Sequence, residues 1–235
     1  MQGALTEALE NFFGRPVAVT GCSRTDSGVH AEGFALTVAL PDGVLPVPPE
    51  KLPLALAPYL PPDLSLYDAR AVEDGFHPRY DAKSKEYRYT VLHTPVNNPF
   101  YKERAWQVYF PFVPDAEACM NRAASHLCGT HDFSAFRAEG SPTLSTVRTI
   151  YDCHVEREGN IYTVVISGDG FLYNMVRIVT GTLVAVATGR IAPDAVREIL
   201  ASRKRQAAGA TAPPDGLCLV KVVYDEVDFL KKTRD

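Results

Sequence analysis

The stretch FLYNMVRIVTGTLVAVA, residues 171–187, is the longest apolar run in the chain, interrupted by Asn174 and Arg177. A membrane span needs about twenty predominantly apolar residues with few charges. This run is too short and too charged for that, so it reads as a buried helix. Residues 85–92 (KEYRYTVL) alternate and are rich in aromatic and β-branched side chains, the pattern of a strand. Residues 147–156 and 161–167 read as two more strands joined by a turn at 157–160 (REGN), and 217–224 as a closing strand. Leu5, Leu9, Phe12 and Phe13 recur at helical spacing over 1–13 and Gly14 ends that helix. Further helices are expected at 115–128, stopped by Gly129, at 193–202 and, more weakly, at 49–60. Further strands are expected at 16–22, 30–40 and 65–73. Helices interspersed with antiparallel strands indicate an α+β fold. A helix, strand and Gly-rich loop at the start echo helix 115–128 followed by 133–140. The expectation is two related halves, 1–80 and 81–235, each a mixed or antiparallel sheet with helices on one face. A cleft would lie between them, where ligands often bind.

With 235 residues, 46% of them hydrophobic and 22% charged, the chain can bury a proper core. The first residues are amphipathic, with Glu7 and Glu10, unlike a signal peptide. Five cysteines, with no C-x-x-C pair, suggest reduced thiols in a cytoplasm. Cys119, Cys128 and His131 come nearest to a metal cluster, but their spacing fits no common zinc pattern; no metal is expected. A net charge of −4 argues against a polyanionic partner. Yet Arg79, Lys83, Lys85 and Arg88 cluster locally, as do Arg203, Lys204 and Arg205. These are either solvated faces or a basic surface on an acidic body.

Arg24-Thr25-Asp26-Ser27-Gly28 lies between two expected strands. Loops on a rigid scaffold are favoured places for catalysis, and Asp26 could project from a tight turn there. Asp-Ser-Gly is equally ordinary turn chemistry, so spacing alone leaves both readings open.

The loop Gly21-Cys22-Ser23-Arg24-Thr25-Asp26-Ser27-Gly28-Val29-His30-Ala31 resembles the signature loop of the tRNA pseudouridine synthase A family. Five further blocks follow in the family's order. They are Ser84-Lys85-Glu86-Tyr87-Arg88-Tyr89, Asn98-Pro99-Phe100 with Ala105-Trp106, His131 to Arg137 (HDFSAFR), Phe171 to Arg177 (FLYNMVR), and Thr211-Ala212-Pro213 with Gly216-Leu217. The resemblance covers essentially the whole chain. It implies cleavage of the N-glycosidic bond of uridine, rotation of the base and reattachment through carbon, with no cofactor. Substrate would be tRNA, at positions 38–40 of the anticodon arm, and the enzyme a homodimer in which one tRNA touches both subunits. It implies Asp26 as the attacking carboxylate, at the sugar or at the ring, and Arg177 as the arginine that pairs with it. Tyr87 would stack on the target base and assist proton transfer. Arg24 would assist extrusion or hold a phosphate. Without the resemblance, Arg177 also reads as a cation snorkelling from a buried helix, and Tyr87 as a core aromatic like Tyr89.

Two departures stand out. Family members carry an additional N-terminal strand and a Gly-x-x-x-Trp-Gln loop where this sequence begins with Met1-Gln2-Gly3. The expectation is a first sheet short of one strand, its edge open or covered by a partner. Asp169 stands where the family usually has Asn. Besides the active synthase, two other readings remain: a truncated, non-catalytic RNA-binding or tRNA-folding module, and an aspartate-dependent hydrolase. The hydrolase needs a second carboxylate or a metal, and neither stands out.

Overall fold

The computed structural model describes residues 2–41, 43–140, 143–227 and 229. They form two compact units, each discontinuous in sequence. One comprises the described residues of Met1–Arg24, Phe34–Lys83 and Val223–Asp235; the other comprises Thr25–Gly33 and Ser84–Val222. Each unit thus draws on both sides of residue 80. Thr25–Gly33, expected with the first half, packs instead with the second, for reasons of strand pairing given below.

In the first unit, helix α1 (Gln2–Phe13) precedes strand β1 (Ala18–Gly21). Strand β3 (Leu36–Ala39) returns antiparallel to β1 in register Ala18↔Ala39 through Gly21↔Leu36. The expected helix at 49–60 is α2 (Leu52–Leu56) with a 3₁₀ turn at each end. Leu9, Leu52 and Leu56 make the buried centre, with Leu5, Phe12, Phe13, Val19 and Val38 packed around it. The helical spacing of α1 thus marks the face it buries. Residues 65–73, expected as a strand, join no ladder. Their backbone is engaged locally, the Asp68 carboxylate accepting the Ala69 N–H at 2.8 Å and the Arg70 guanidinium at 3.0 Å. Leu66 and Ala69 still pack on the leucine centre.

The second unit is built on a seven-stranded mixed sheet. Its strands are β2 (His30–Ala31), β4 (Ser84–His93), β5 (Trp106–Val108), β6 (Gly129–Asp132), β7 (Val147–Glu158), β8 (Ile161–Gly168) and β9 (Leu217–Val223). They run β2-β9-β4-β8-β7-β6, with β5 parallel to β4. The hairpin β7–β8 is antiparallel, as its short turn predicts, and β4 pairs antiparallel with the other side of β8. The expected single strand over 30–40 is split: His30–Ala31 pairs in parallel with Cys218–Leu219, while Leu36–Ala39 pairs with β1. Gly33 lies between these segments with its Cα against the Val220 carbonyl, where a Cβ would come within 2.2 Å. β5 and β6 were not anticipated; at three and four residues they are too short to show a period.

Helix α3 (Ala116–Ser125) lies on β7, and Asn121 clamps the Val155 backbone with two hydrogen bonds of 2.8 Å. This occupies strand-edge groups that have no ladder partner. Helix α4 (Met175–Ala187) packs on β4 and α3 and is buried over most of its length. The apolar run is therefore a core helix, but it starts at Met175 rather than 171, because Asn174 has φ 58° and breaks the right-handed path. Helix α5 (Ala195–Ser202) follows. No helix among the described residues is long and apolar enough to cross a membrane.

Candidate active site

Asp26 is placed by a tight turn. The Val29 N–H closes back on the Asp26 carbonyl at 3.1 Å, and Gly28 between them has φ 84°. Only glycine takes that conformation cheaply; a Cβ there would also meet the Pro214 ring at 3.0 Å. After the turn the chain enters β2, and just past it Glu32 and Gly33 donate to the Leu219 carbonyl at 2.9 and 3.2 Å. The loop is thus tied to the large sheet through β9. Its carboxylate side chain is 30% exposed.

The first turn of α4 brings Arg177 to it. Arg177 Nη1 donates to Asp26 Oδ2 at 2.7 Å and to Asn174 Oδ1 at 2.9 Å, and Nε donates to the Ala212 carbonyl at 2.8 Å. The Ala212 N–H returns to the Arg177 carbonyl at 3.1 Å. Residues 209–216 are fixed from two sides. Gly181 of α4 sits so close to the Ala210 carbonyl that a Cβ would reach 1.7 Å, and Thr182 Oγ1 accepts the Gly209 N–H at 2.9 Å. On the other side Tyr89 donates its hydroxyl to the Pro213 carbonyl at 2.6 Å, and the Gly216 carbonyl accepts the Thr90 N–H at 2.9 Å. Burial pushes the Tyr89 phenol far above its ordinary range, with the nearby Arg177 cation opposing that rise.

On β4, Lys85, Tyr87 and Tyr89 alternate as buried positions on one face. Tyr87 is 7% exposed, with its ring edge-on to Phe171 at 5.1 Å between centroids. Arg24, two residues before Asp26, is exposed and makes no ion pair or side-chain hydrogen bond with the described residues. The structure thus brings Asp26 and Arg177, 151 positions apart, into direct contact.

A family model described as tRNA pseudouridine synthase matches residues 123–225. Curated relatives named tRNA pseudouridine synthase A align along nearly the whole chain. One from a Thermoanaerobacter species is 44% identical, covering 95% of this chain and 89% of its own. One from Acetivibrio thermocellus is 43% identical with the same coverage. One from Halalkalibacterium halodurans is 44% identical over 92% of this chain and 81% of its own. This chain belongs to the tRNA pseudouridine synthase A family.

Asp169, expected to stand in place of an asparagine, has a local role. Its Oδ1 accepts the Thr149 N–H at 3.0 Å while its own N–H bonds the Thr149 carbonyl at 3.0 Å. An asparagine Oδ1 could accept the same bond, so either residue would serve this backbone link beside the β7 bulge. Sequence reasoning missed two members of this synthase's charged site: Asn174 and the Ala212 carbonyl. Both fell inside quoted blocks. Asn174 could have been singled out as a polar interruption at the head of an apolar helix, whereas a main-chain carbonyl leaves no mark in sequence.

Proposed function

We propose that this chain isomerises uridine to pseudouridine in tRNA, at positions 38–40 of the anticodon stem-loop. Asp26 acts as nucleophile and Arg177 as its ion-pair partner. The reaction breaks the C1′–N1 bond, forms C1′–C5 and moves the C5 proton to N1. Atoms and electrons balance within the nucleoside, so neither a redox partner nor a group donor is required. The observation that carries this reading is the 2.7 Å pair between Asp26 and Arg177 in a loop of fixed geometry. A carboxylate held by a guanidinium is oriented and charge-balanced while one edge stays exposed.

Tyr87 is the base-facing aromatic. It is 7% exposed with its ring edge-on to Phe171, so contact with an extruded base calls for local rearrangement around it. Arg24, exposed and without an ion-pair partner among the described residues, serves phosphate contact or extrusion, which costs a few kcal/mol. The reading includes a homodimer working on tRNA in the cytoplasm, in keeping with five free thiols.

The test is incubation with unmodified tRNA followed by mapping of pseudouridine in the anticodon arm, for the wild type and Asp26→Asn. The substitution is expected to abolish product and leave tRNA affinity within a few-fold. Product from the Asn variant would refute the nucleophile; tRNA binding without product in the wild type would favour a non-catalytic module.

A further inference from the structure

Two matched segments take no part in the chemistry above: Asn98-Pro99-Phe100, and His30 in the loop that carries Asp26. The fold joins them. Residues 98–104 form a pinned turn. The Asn98 side chain accepts the Phe100 N–H at 3.2 Å, and the Gln107 amide closes on the Asn98 backbone with bonds of 2.8 and 3.0 Å. Arg104 and Ala105 both donate to the Tyr101 carbonyl at 3.1 Å. This turn holds Phe100 out with 89% of its surface exposed. Lys102 and Arg104 are exposed beside it; Lys102 lies 3.5 Å from the Glu103 carboxylate, and Arg104 has no ion-pair partner among the described residues. Glu103 has a left-handed φ of 59°, a strained conformation for a residue with a side chain. Its carbonyl meets His30 Nε2 at 2.5 Å. His30 opens β2, four residues after Asp26.

We infer that residues 98–104 form a subsite for unpaired RNA, with one base stacked on Phe100 and its flanking phosphates met by Lys102 and Arg104. His30 is the positioning residue that ties this subsite to the Asp26 loop. The inference rests on the reading of the chain as a tRNA-modifying enzyme. An exposed aromatic with cations two and four residues on suits nucleic acid, since every base offers a π-face and every linkage a charge. A protein partner wants a contiguous apolar patch, whereas the exposed residues that follow Phe100 and the half-buried Tyr101 are Lys102, Glu103 and Arg104, all charged. An anticodon arm supplies unpaired bases next to its stem.

The test uses the full chain and unmodified tRNA. Phe100→Ala is expected to raise KM about ten-fold, the loss of one stacked base. Phe100→Trp should restore KM, with its added fluorescence quenched saturably by tRNA. Arg104→Gln should raise KM several-fold and reduce the salt slope of binding by about one. His30→Ala should lower kcat more than it raises KM. His30→Gln, which can still donate to the Glu103 carbonyl, should recover most of that loss; a purely structural role would move Tm without this split. An unchanged KM in Phe100→Ala would overturn the inference, as would a change in its mass in solution, which would make Phe100 a contact between copies. Quenching of Phe100→Trp by tRNA in a protein that makes no pseudouridine would retain the subsite and refute the activity, so the two failures are separable.

Discussion

Arg177 divides one guanidinium among the Asp26 carboxylate, the Asn174 amide and the Ala212 carbonyl. Lysine keeps the charge but cannot span that set. Arg177→Lys is expected to lower kcat/KM at least ten-fold and to cost about 2 kcal/mol in denaturant unfolding, the worth of a charge-assisted bond or two. Asn174 offers a sharper test. Alanine is the better helix former, but φ is 58° here, so Asn174→Gly should be the more stable variant and Asn174→Ala the less stable, by about 1 kcal/mol. The reverse order would mean that the left-handed cap does not matter. At Glu103, also left-handed, glycine removes the strain and keeps the carbonyl that His30 meets. Glu103→Gly should raise Tm by a few degrees. Asp26 and Arg177 were legible in sequence only because their motifs were matched. The left-handed residues were not, since a non-glycine φ is set by what the backbone is pulled toward.

Among the elements, residues 209–216 matter out of proportion to their lack of secondary structure. They carry the Ala212 carbonyl to Arg177 and Pro214 to the Gly28 turn, and they are held by α4 and β4. Gly181→Ala would drive a methyl into the Ala210 carbonyl. It should cost about 3 kcal/mol, at the upper end of overpacking, and lower activity through Arg177; a silent substitution would mean this approach is not tight in solution. Tyr89 gives the pH signature of the same junction. Its folded phenol is raised by burial, so it disfavours ionisation in the native state. The resulting stability is complete below the ordinary tyrosine value, about 10, and is lost as pH rises above it. Tyr89→Phe should therefore be less stable near neutrality, for want of the Pro213 bond, and lose less stability between neutral and alkaline pH. Urea melts across that range check both signs.

For the whole molecule, the charge sum and the proposed substrate pull in opposite directions. A net charge of −4 repels a polyanion at long range, so affinity for tRNA must come from locally placed cations. Binding should therefore weaken steeply between low and physiological salt, as read by filter binding or fluorescence titration; a flat response would mean that phosphates are not being met. The division into units also belongs to this scale. The nine residues from Thr25 to Gly33 fold with a unit whose main body begins at Ser84, because the open edge of β9 accepts β2.

Sequence by itself determined what depends on neighbours along the chain. That includes the amphipathic α1, the alternating β4, β7 and β8, the core character of α4 and, through six ordered blocks, the family. It misjudged 65–73, whose β-like composition met no strand to pair with, and 30–40, which is shared between two sheets. Tertiary structure alone decided that the Asp26 loop belongs to the large sheet, that Asn174 and the Ala212 carbonyl complete the grip on Arg177, and that Glu103 reaches His30. Each of these is a contact across many residues, made by backbone groups or by close approach at glycine. Such contacts are selected by packing of the whole chain and leave little trace in local composition. The loop that bears Asp26 was readable as a motif; what holds it in place was not.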